Sequence, residues 1–394
     1  MINNSDNKRW DKTKLSQIIH IVGGGTPKTE VKDYWNGNIH WISIRDLKPG
    51  RKYIDITEKC ITERGLNESS AKMLEKGDIV ISARGTVGSL GVLSIPMSFN
   101  QSCYGIKADP LFSTNDYVFY LLKHKLSDLL QVSYGGIFDT ITRNTFEGIS
   151  VDLPPLKEQK AIANVLNSLD DKIDLLHRQN TTLEDLSKVL FRKLFTDTPN
   201  DSWGLVKIKD VLKIEIGGTP DTSNEDYWNG NIPWINSGEV NNFRITNGIK
   251  FITELGLKQS STKLFPKGTT VIAITGATLG KVSLLEIDTC TNQSVVGIIP
   301  NEQYSKEFIF LWINHIIGKI ISSQTGVAQS HINKSDIGQN YIIVPDKDYL
   351  ERGMKSISIM FDKITNNVFQ IQALERLRDL LLPKLINGEV RVKF

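Results

Sequence analysis

With 394 residues, 40% of them hydrophobic and 23% charged, the chain has the composition of a globular protein with room for two or three domains. No apolar run approaches the roughly 18 residues that span a bilayer, residues 1–14 are too polar for a signal peptide, and three scattered cysteines (Cys60, Cys103, Cys290) form neither a disulfide framework nor a metal motif, so a cytoplasmic protein is expected. A net charge of +3 is lower than expected of a protein that holds DNA alone through phosphate contacts, so such a role requires partners that share the clamping.

Along the chain four segments follow. Residues 1–152 read as short strands broken by Gly, Asn and Pro, among them Ile39–Ile42 and Asp78–Ser82, with a helix predicted near 116–132 where Tyr117, Tyr120, Leu121, Leu126, Leu129 and Leu130 share a face. Leu153-Pro154-Pro155-Leu156 ends this α+β module, because paired prolines halt regular structure. Residues 153–198 then carry apolar side chains at alternating three- and four-residue steps: Ile162, Leu166, Leu169, Ile173, Leu176, Leu183, Leu190 and Leu194. Asn180 and Ser187 interrupt the stripe, as polar residues do where a helical seam must hold one register. Residues 199–344 form a second α+β module with a helix near 306–321. Residues 345–394 carry a second stripe, Met354, Ile357, Phe361, Ile364, Val368 and Ile371, which slips phase through Leu374, Leu381 and Leu385 and stops at Gly388. Two such seams are expected to pair, and forty helical residues extend about 60 Å, the length of a spacer.

The two modules are copies. Gly24-Gly25-Thr26-Pro27 and Tyr34-Trp35-Asn36-Gly37-Asn38-Ile39 with Trp41-Ile42 recur as Gly217-Gly218-Thr219-Pro220 and Tyr227-Trp228-Asn229-Gly230-Asn231-Ile232 with Trp234-Ile235, at a constant offset of 193 residues. Ile61-Thr62-Glu63, Asn100-Gln101-Ser102 and Leu153-Pro154 recur in turn, the last as Val344-Pro345, with offsets drifting to 191. A period this long is the duplication of a whole domain rather than a solenoid, whose units run about 20–50 residues.

Catalytic signatures are missing. Gly276-Ala277-Thr278-Leu279-Gly280-Lys281-Val282 imitates a phosphate-binding loop, but its glycines are too close and Val follows the Lys where Ser or Thr would bind the metal. The six histidines include no pair at ligand spacing, and the sole Pro-Pro follows Leu153 rather than the Asp or Asn of an adenine methyltransferase motif. Glu158-Gln159-Lys160 and Asp170-Asp171-Lys172 imitate part of a nuclease motif, but on a long amphipathic helix such charges are expected to form a solvated face.

The duplicated GGTP and YW-x-G-x-I-x-W motifs, at Gly24–Pro27 with Tyr34–Trp41 and Gly217–Pro220 with Tyr227–Trp234, resemble the specificity subunit of type I restriction-modification systems. The segment Leu153–Ile162 is similar to that family's entry into a central conserved helix, and Asn387-Gly388-Glu389-Val390 to the end of its C-terminal one; Val344-Pro345-Asp346 departs by lacking the second proline and the Glu-Gln. The resemblance implies two tandem target recognition domains (1–152 and 199–344) and two conserved helices (153–198 and 345–394) packed as an antiparallel coiled coil. It implies double-stranded DNA, two methyltransferase subunits and endonuclease/translocase subunits as partners. S-adenosylmethionine, ATP and Mg would be held by those partners, with no cofactor and no catalytic or metal-binding residue in this chain. Ile162, Leu166, Leu169, Ile173, Leu176, Asn180, Leu183, Ile357, Phe361, Ile364, Val368 and Ile371 would form the helix-packing and partner surface.

Positions that match between the copies should be framework, and mismatches inside the shared motifs should carry the two specificities. After the shared Trp-Ile, Ser43-Ile44-Arg45 stands opposite Asn236-Ser237-Gly238, and Arg84-Gly85 stands opposite Thr275-Gly276. Arginine bonds guanine O6 and N7 in bidentate fashion and asparagine does the same for adenine, so Ser43, Arg45 and Arg84 are candidates in the first module and Asn236, Ser237 and Thr275 in the second. Lys281 is assigned to phosphate. Thr26, Lys28 and Thr219 lie on glycine-rich loops that can approach phosphates closely, while the recurring Gln101 and Gln293 fit a common backbone contact or turn. Tyr34, Trp35, Trp41 and their repeats are assigned to packing. Two alternatives stay open on the sequence: a self-sufficient DNA methyltransferase or nuclease, and a scaffold that bridges proteins without DNA.

Overall fold

The computed structural model describes residues 10–133, 140–197, 200, 202–241, 243–323 and 331–392. The chain divides into two compact units, Met1–Arg178 with Gln370–Phe394, and Gln179–Phe369.

In the first unit a five-stranded sheet runs in the order Ile19–Gly23, Cys103–Ala108, Ile79–Ser82, Leu90–Leu93, Tyr53–Ile54. Its middle strand, Ile79–Ser82, is buried at all four residues, which is why Ile79-Val80-Ile81 is an unbroken apolar run instead of an alternation. A four-stranded sheet runs Lys59–Ile61, Trp35–Ile42, Met97–Phe99, Met73–Leu74. The shared Trp-Asn-Gly-Asn-Ile stretch is a bulge in this sheet: Trp35 and Ile39 both face Ile61, and Asn36 takes φ +62°, a left-handed value that Asn tolerates better than most residues. Trp35 and Trp41 meet edge to face at 5.2 Å, and the Trp41 indole N–H donates to the Gly25 carbonyl at 3.0 Å.

The second unit repeats both sheets strand for strand, Lys213–Ile216, Val295–Ile299, Thr270–Ala273, Val282–Leu285, Arg244–Ile245 in one and Lys250–Ile252, Trp228–Ile235, Thr289–Thr291, Leu264–Phe265 in the other. Asn229 again takes φ +61°, and Trp234 again donates to a glycine carbonyl, that of Gly218, at 3.1 Å. The helix predicted near 116–132 is two helices, Asn115–His124 and Leu126–Ser133, because the chain tightens at Lys125 (ψ 8°). Its repeat is the single helix Lys306–Ser322.

The central helix spans Leu156–Phe195 and the C-terminal helix Lys347–Ile386. In the first unit Ile173 and Leu176 pack on Ile371, and Arg378 pairs with Asp170. In the second, Asn180 meets Asn367, and Leu194 accepts from Tyr349. Rising numbers on one helix meet falling numbers on the other in each unit, so the helices pack antiparallel. Ile162, Leu166, Ile173, Leu176, Asn180, Ile357, Phe361, Ile364 and Ile371 are buried, but Leu169, Leu183 and Val368 are only half-buried. Next to them the polar side chains of Asp170 and Asn367 take the interior positions, at 3% and 1% exposure.

The expected solvated face is corrected in part, for Lys160, Asp171 and Lys172 are exposed as expected while the other three residues are not. Glu158, Gln159 and Asp170 are buried. Glu158 accepts from Arg391 at 2.7 Å and from the Trp10 indole at 3.1 Å, while Gln159 donates to the carbonyls of Phe112 and Pro154. At the second junction Tyr349 and Leu350 stand where Glu158 and Gln159 stand in the first, so apolar packing replaces the hydrogen bonds and the helix begins at Lys347 all the same.

Candidate nucleic-acid interface

In each unit the glycine-rich loop, the end of the bulged strand and the Asn-Gln-Ser turn are drawn together by backbone hydrogen bonds. Gly25 donates to Phe99 at 3.0 Å and Asn100 donates to Ile42 at 2.9 Å; Gly218 donates to Thr291 at 2.8 Å and Asn292 to Ile235 at 3.0 Å. The glycines are required by this approach. A Cβ at Gly24 would lie 2.0 Å from the Asn100 carbonyl oxygen, and one at Gly217 2.0 Å from Thr291 Oγ1. The Thr of each loop is then tied to the Gln of each turn: the Thr26 hydroxyl donates to Gln101, and Thr219 donates to Gln293 at 2.6 Å. These four repeated residues form one framework device, built twice.

The mismatched residues sit on the rim of the same loops. Ser43 caps a short 3-10 turn, its N–H and hydroxyl both donating to Asp46 at 2.7 and 2.8 Å. Asn236 does the same job with different atoms, its side-chain oxygen accepting from Gly238 at 2.7 Å and its N–H donating to Glu239 at 3.0 Å. Both side chains are therefore engaged in shaping the turn. Arg45, two residues past the Ser43 cap, is 84% exposed and forms an ion pair with the exposed Glu58 at 3.9 Å, a pair too solvated to hold it. Arg84 is exposed on a turn where Gly85 takes φ +72°, and Gly85 faces Ile44 at the root of Arg45, so both arginines rise from adjoining loops.

In the second unit the corresponding loops adjoin through the Thr278 hydroxyl, which donates to the Ser237 carbonyl at 2.8 Å. Ser237 and Thr275 are half-buried there, and Lys281 is exposed. The loop Gly276–Lys281 that imitates a phosphate-binding loop is a 3-10 turn leading into the strand Val282–Leu285, with no helix behind it to receive a nucleotide phosphate.

Two features of this surface lie outside the mismatch comparison. Lys59 lies over the Trp35 ring at 5.6 Å and Lys250 over the Trp228 ring at 5.6 Å, repeated cations on repeated aromatics. The signal in the sequence was the Lys-x-Ile shared before each Thr-Glu. Lys59 and Arg45 line one shallow cavity of about 340 Å³ with Trp41 and Asn100. Lys28 is exposed, its carbonyl held by the Trp35 indole at 3.2 Å; the same indole bond in the second unit, at 3.0 Å, is accepted by Asp221. The first surface thus presents Lys28, Arg45, Lys59 and Arg84, where the second presents Asp221, Gly238, Lys250 and Thr275. Exposed cations beside a rigid polar framework suit phosphates and guanine edges; the second surface, with fewer cations, suits recognition by neutral groups.

Among the described residues no group of three or more His, Cys, Asp or Glu is arranged to hold a metal ion, and no helix is long and apolar enough to cross a membrane.

Comparison with known proteins gives a consistent result. The family model for the type I restriction modification DNA specificity domain matches residues 7–185 and again residues 200–376. The type I restriction enzyme MjaIX specificity subunit of Methanocaldococcus jannaschii is 31% identical, covering 98% of this chain and 94% of the relative. The MjaVIII specificity subunit of the same organism is 26% identical over 98% and 93%. In fold, the chain resembles the crystal structure of a type I restriction-modification system S subunit from M. genitalium, with a TM-score of 0.60 over 98% of each chain at 16% identity.

Proposed function

The chain belongs to the type I restriction modification DNA specificity family, a family of recognition rather than catalytic components, and on that premise we propose that it reads a split, asymmetric DNA site, one half with each repeated module. The observation that carries this reading is the pair of loop clusters, equal in scaffold and unequal in rim. Thr26–Gln101 and Thr219–Gln293 rigidify the loops alike, while Arg45 and Arg84 face one half-site and the Thr275 and Lys281 loops face the other. Rigid support of a few variable side chains is what sequence discrimination demands, because a base contact is worth about 1–3 kcal/mol only where geometry is held.

The two long helices act as the spacer between half-sites and as the platform for two methyltransferase subunits, which the endonuclease/translocase subunits join. Leu175, Leu186 and Val189 on the central helix and Ile359, Leu377 and Leu380 on the C-terminal helix are between 45% and 64% exposed, and this apolar surface supports a docking role. S-adenosylmethionine, ATP and Mg would be bound, and adenine methylated, by the partners in the cytoplasm. Partners also supply the phosphate contacts that a net charge of +3 leaves short.

Selection from a random duplex library, with the methyltransferase subunit present, tests the proposal. Enrichment of two short sequences separated by a fixed unspecified gap is expected; no enrichment, or one continuous motif, refutes it. Methyl transfer by this chain alone would replace it with the self-sufficient enzyme.

A further inference from the structure

The repeat extends into the helices. With Leu153-Pro154 set on Val344-Pro345, Asp171-Lys172-Ile173 falls on Asp362-Lys363-Ile364, and the helix caps Thr114 and Ser305 coincide. At this offset of 191, each module meets the same stretch of the helix that follows it, through the segment that enters the short strand Tyr53–Ile54 or Arg244–Ile245. In both a buried cation donates to the helix, Lys52 to Asn167 and Arg244 to Thr365, but the residues around it differ.

In the first unit the meeting is polar. Tyr120 donates to Asp170 at 2.7 Å, Arg378 of the C-terminal helix donates to the other Asp170 oxygen at 2.7 Å, and the Lys52 ammonium donates to Asn167. Tyr53 donates to Asp171 and Arg51 to Asp174 at 2.8 Å. Asn167, Asp170, Asp171 and Asp174 recur at three- and four-residue steps, so they line one helix face. The side chains of Lys52, Asp170 and Arg378 are 2%, 2% and 6% exposed, and burial pulls the Lys52 ammonium below its usual range.

In the second unit three of the four corresponding places are apolar and the fourth is a serine. Phe243 replaces Lys52, Leu311 replaces Tyr120, Phe361 replaces Asp170 and Ser187 replaces Arg378. Phe361 packs on Phe243 at 5.5 Å and on Phe310 at 5.8 Å, and Phe310 is the repeat of Phe119. Ser187 returns its hydroxyl to its own helix, donating to the Leu183 carbonyl at 2.7 Å. Arg244, the repeat of Tyr53, pairs with Glu286 of its own module at 2.9 Å and also donates to the helix, to Thr365 at 3.3 Å and to the Phe361 carbonyl at 3.5 Å, while Thr365 donates to Glu286 at 2.7 Å.

We propose that these four positions are an address by which each module accepts its own stretch of helix and rejects the other, so that the order of the modules on the spacer is fixed by the scaffold. The four residues change together. Lys52 placed against Phe361 would keep Asp116 and Tyr120 of its own module but lose Asn167 and the Asp170 charge, and Phe243 placed against Asp170 would leave that buried carboxylate with Arg378 but without the Tyr120 hydroxyl; a buried charge that loses part of its compensation is destabilised. A mixed set is therefore worse than either matched set. The consequence for recognition is that the residues on the DNA-facing loops can change freely, whereas an exchange of modules succeeds only when the address residues are exchanged with them.

The test is a coupling measurement on the full chain, read by hydrogen exchange of the helices Asn115–His124 and Lys306–Ser322, each of which reports its own unit. Lys52→Phe and Asp170→Phe alone are each expected to lower protection of the first helix at least tenfold. The quadruple variant K52F/Y120L/D170F/R378S should return to within tenfold of the unsubstituted chain. The reverse set, F243K/L311Y/F361D/S187R, should likewise protect the second helix better than F361D alone. Should the single variants fail to fold, recovery of a folded chain in the quadruple supports the address. Losses in both quadruple variants equal to or larger than the product of their single losses overturn it.

Discussion

The polar pair Asn180–Asn367 allows a quantitative prediction, because the repeat supplies its own control. Asn367 is 1% and Asn180 8% exposed, and the Asn367 amide donates to the Asn180 oxygen at 2.8 Å and to Gln179 at 2.9 Å. At the repeat offset the same two places in the first unit hold Leu176 and Ile371, packed together. Asn367→Ala removes two hydrogen bonds worth about 1 kcal/mol each and leaves the Asn180 oxygen buried without a donor, a further 1–3 kcal/mol or so. The Asn367 oxygen, however, is buried with no partner among the described residues, and its removal offsets part of that loss. A net destabilisation of about 2 kcal/mol follows, which lowers the melting temperature of a unit this size by roughly 4–8 °C. The double variant N180I/N367L recreates the Ile–Leu contact of the first unit and should melt within about 2 °C of the unsubstituted chain or above it, since two apolar partners leave no polar group unpaired. Calorimetry of the full chain measures both. An unchanged melting temperature in the single variant, or a double variant as unstable as the single, would refute the assignment of the pair as a specificity device that lowers stability.

Arg84→Ala should relax one base of one half-site by about 1–3 kcal/mol in a binding selection, and a uniform loss on all sequences would reassign it to phosphate. Gly24→Ala forces a Cβ to within 2.0 Å of a backbone oxygen, whereas Gly77→Ala meets nothing within 4 Å and suffers only from φ +86°; losses of about 3 and 1 kcal/mol are expected, and equal melting temperatures would contradict the packing account. Glu184 is pushed up to about 7 by burial, against the opposing pull of Lys188 and Arg244. Its folded form holds the proton more tightly than the unfolded chain does, so its contribution is full below pH 4.5 and is lost as pH rises to about 7. Glu184→Gln should therefore remove that part of the decline in stability across this window, and parallel pH profiles of the two proteins would argue against it. Four residues added to the central helix lengthen it by about 6 Å, which should widen the gap in the selected DNA site by about two base pairs with both half-sequences unchanged.

Much of the architecture was legible because the repeat separates framework from variation. The glycine-rich motif marks a place where two backbones nearly touch, and the Asn-Gly inside the Trp motif marks a bulge that needs a left-handed residue; both demands are local, so they show in a short stretch of sequence. The interior polar residues were not legible in this way. Asp170 read as part of a solvated helix face because its partners, Tyr120 and Arg378, are 50 and 208 residues distant, and no periodicity records a contact at that separation.

Mismatch between the copies carries two meanings that the sequence cannot divide and burial can. Arg45 against Gly238, Arg84 against Thr275 and Lys28 against Asp221 are mismatches whose first-copy side chains are exposed and free to meet a ligand. Ser43 against Asn236 is a mismatch of another sort, since each side chain shapes the turn that bears it. Lys52 against Phe243 and Asp170 against Phe361 lie at the helix contacts, where Lys52, Asp170 and Phe361 are buried and Phe243 is half-buried, and there a mismatch is tolerated only because its neighbours changed with it. Exposed differences can vary one at a time, and buried differences must vary in sets. A duplicated reader can therefore acquire a new half-site by single steps on its rim, while its place on the spacer stays fixed until several interior residues move together.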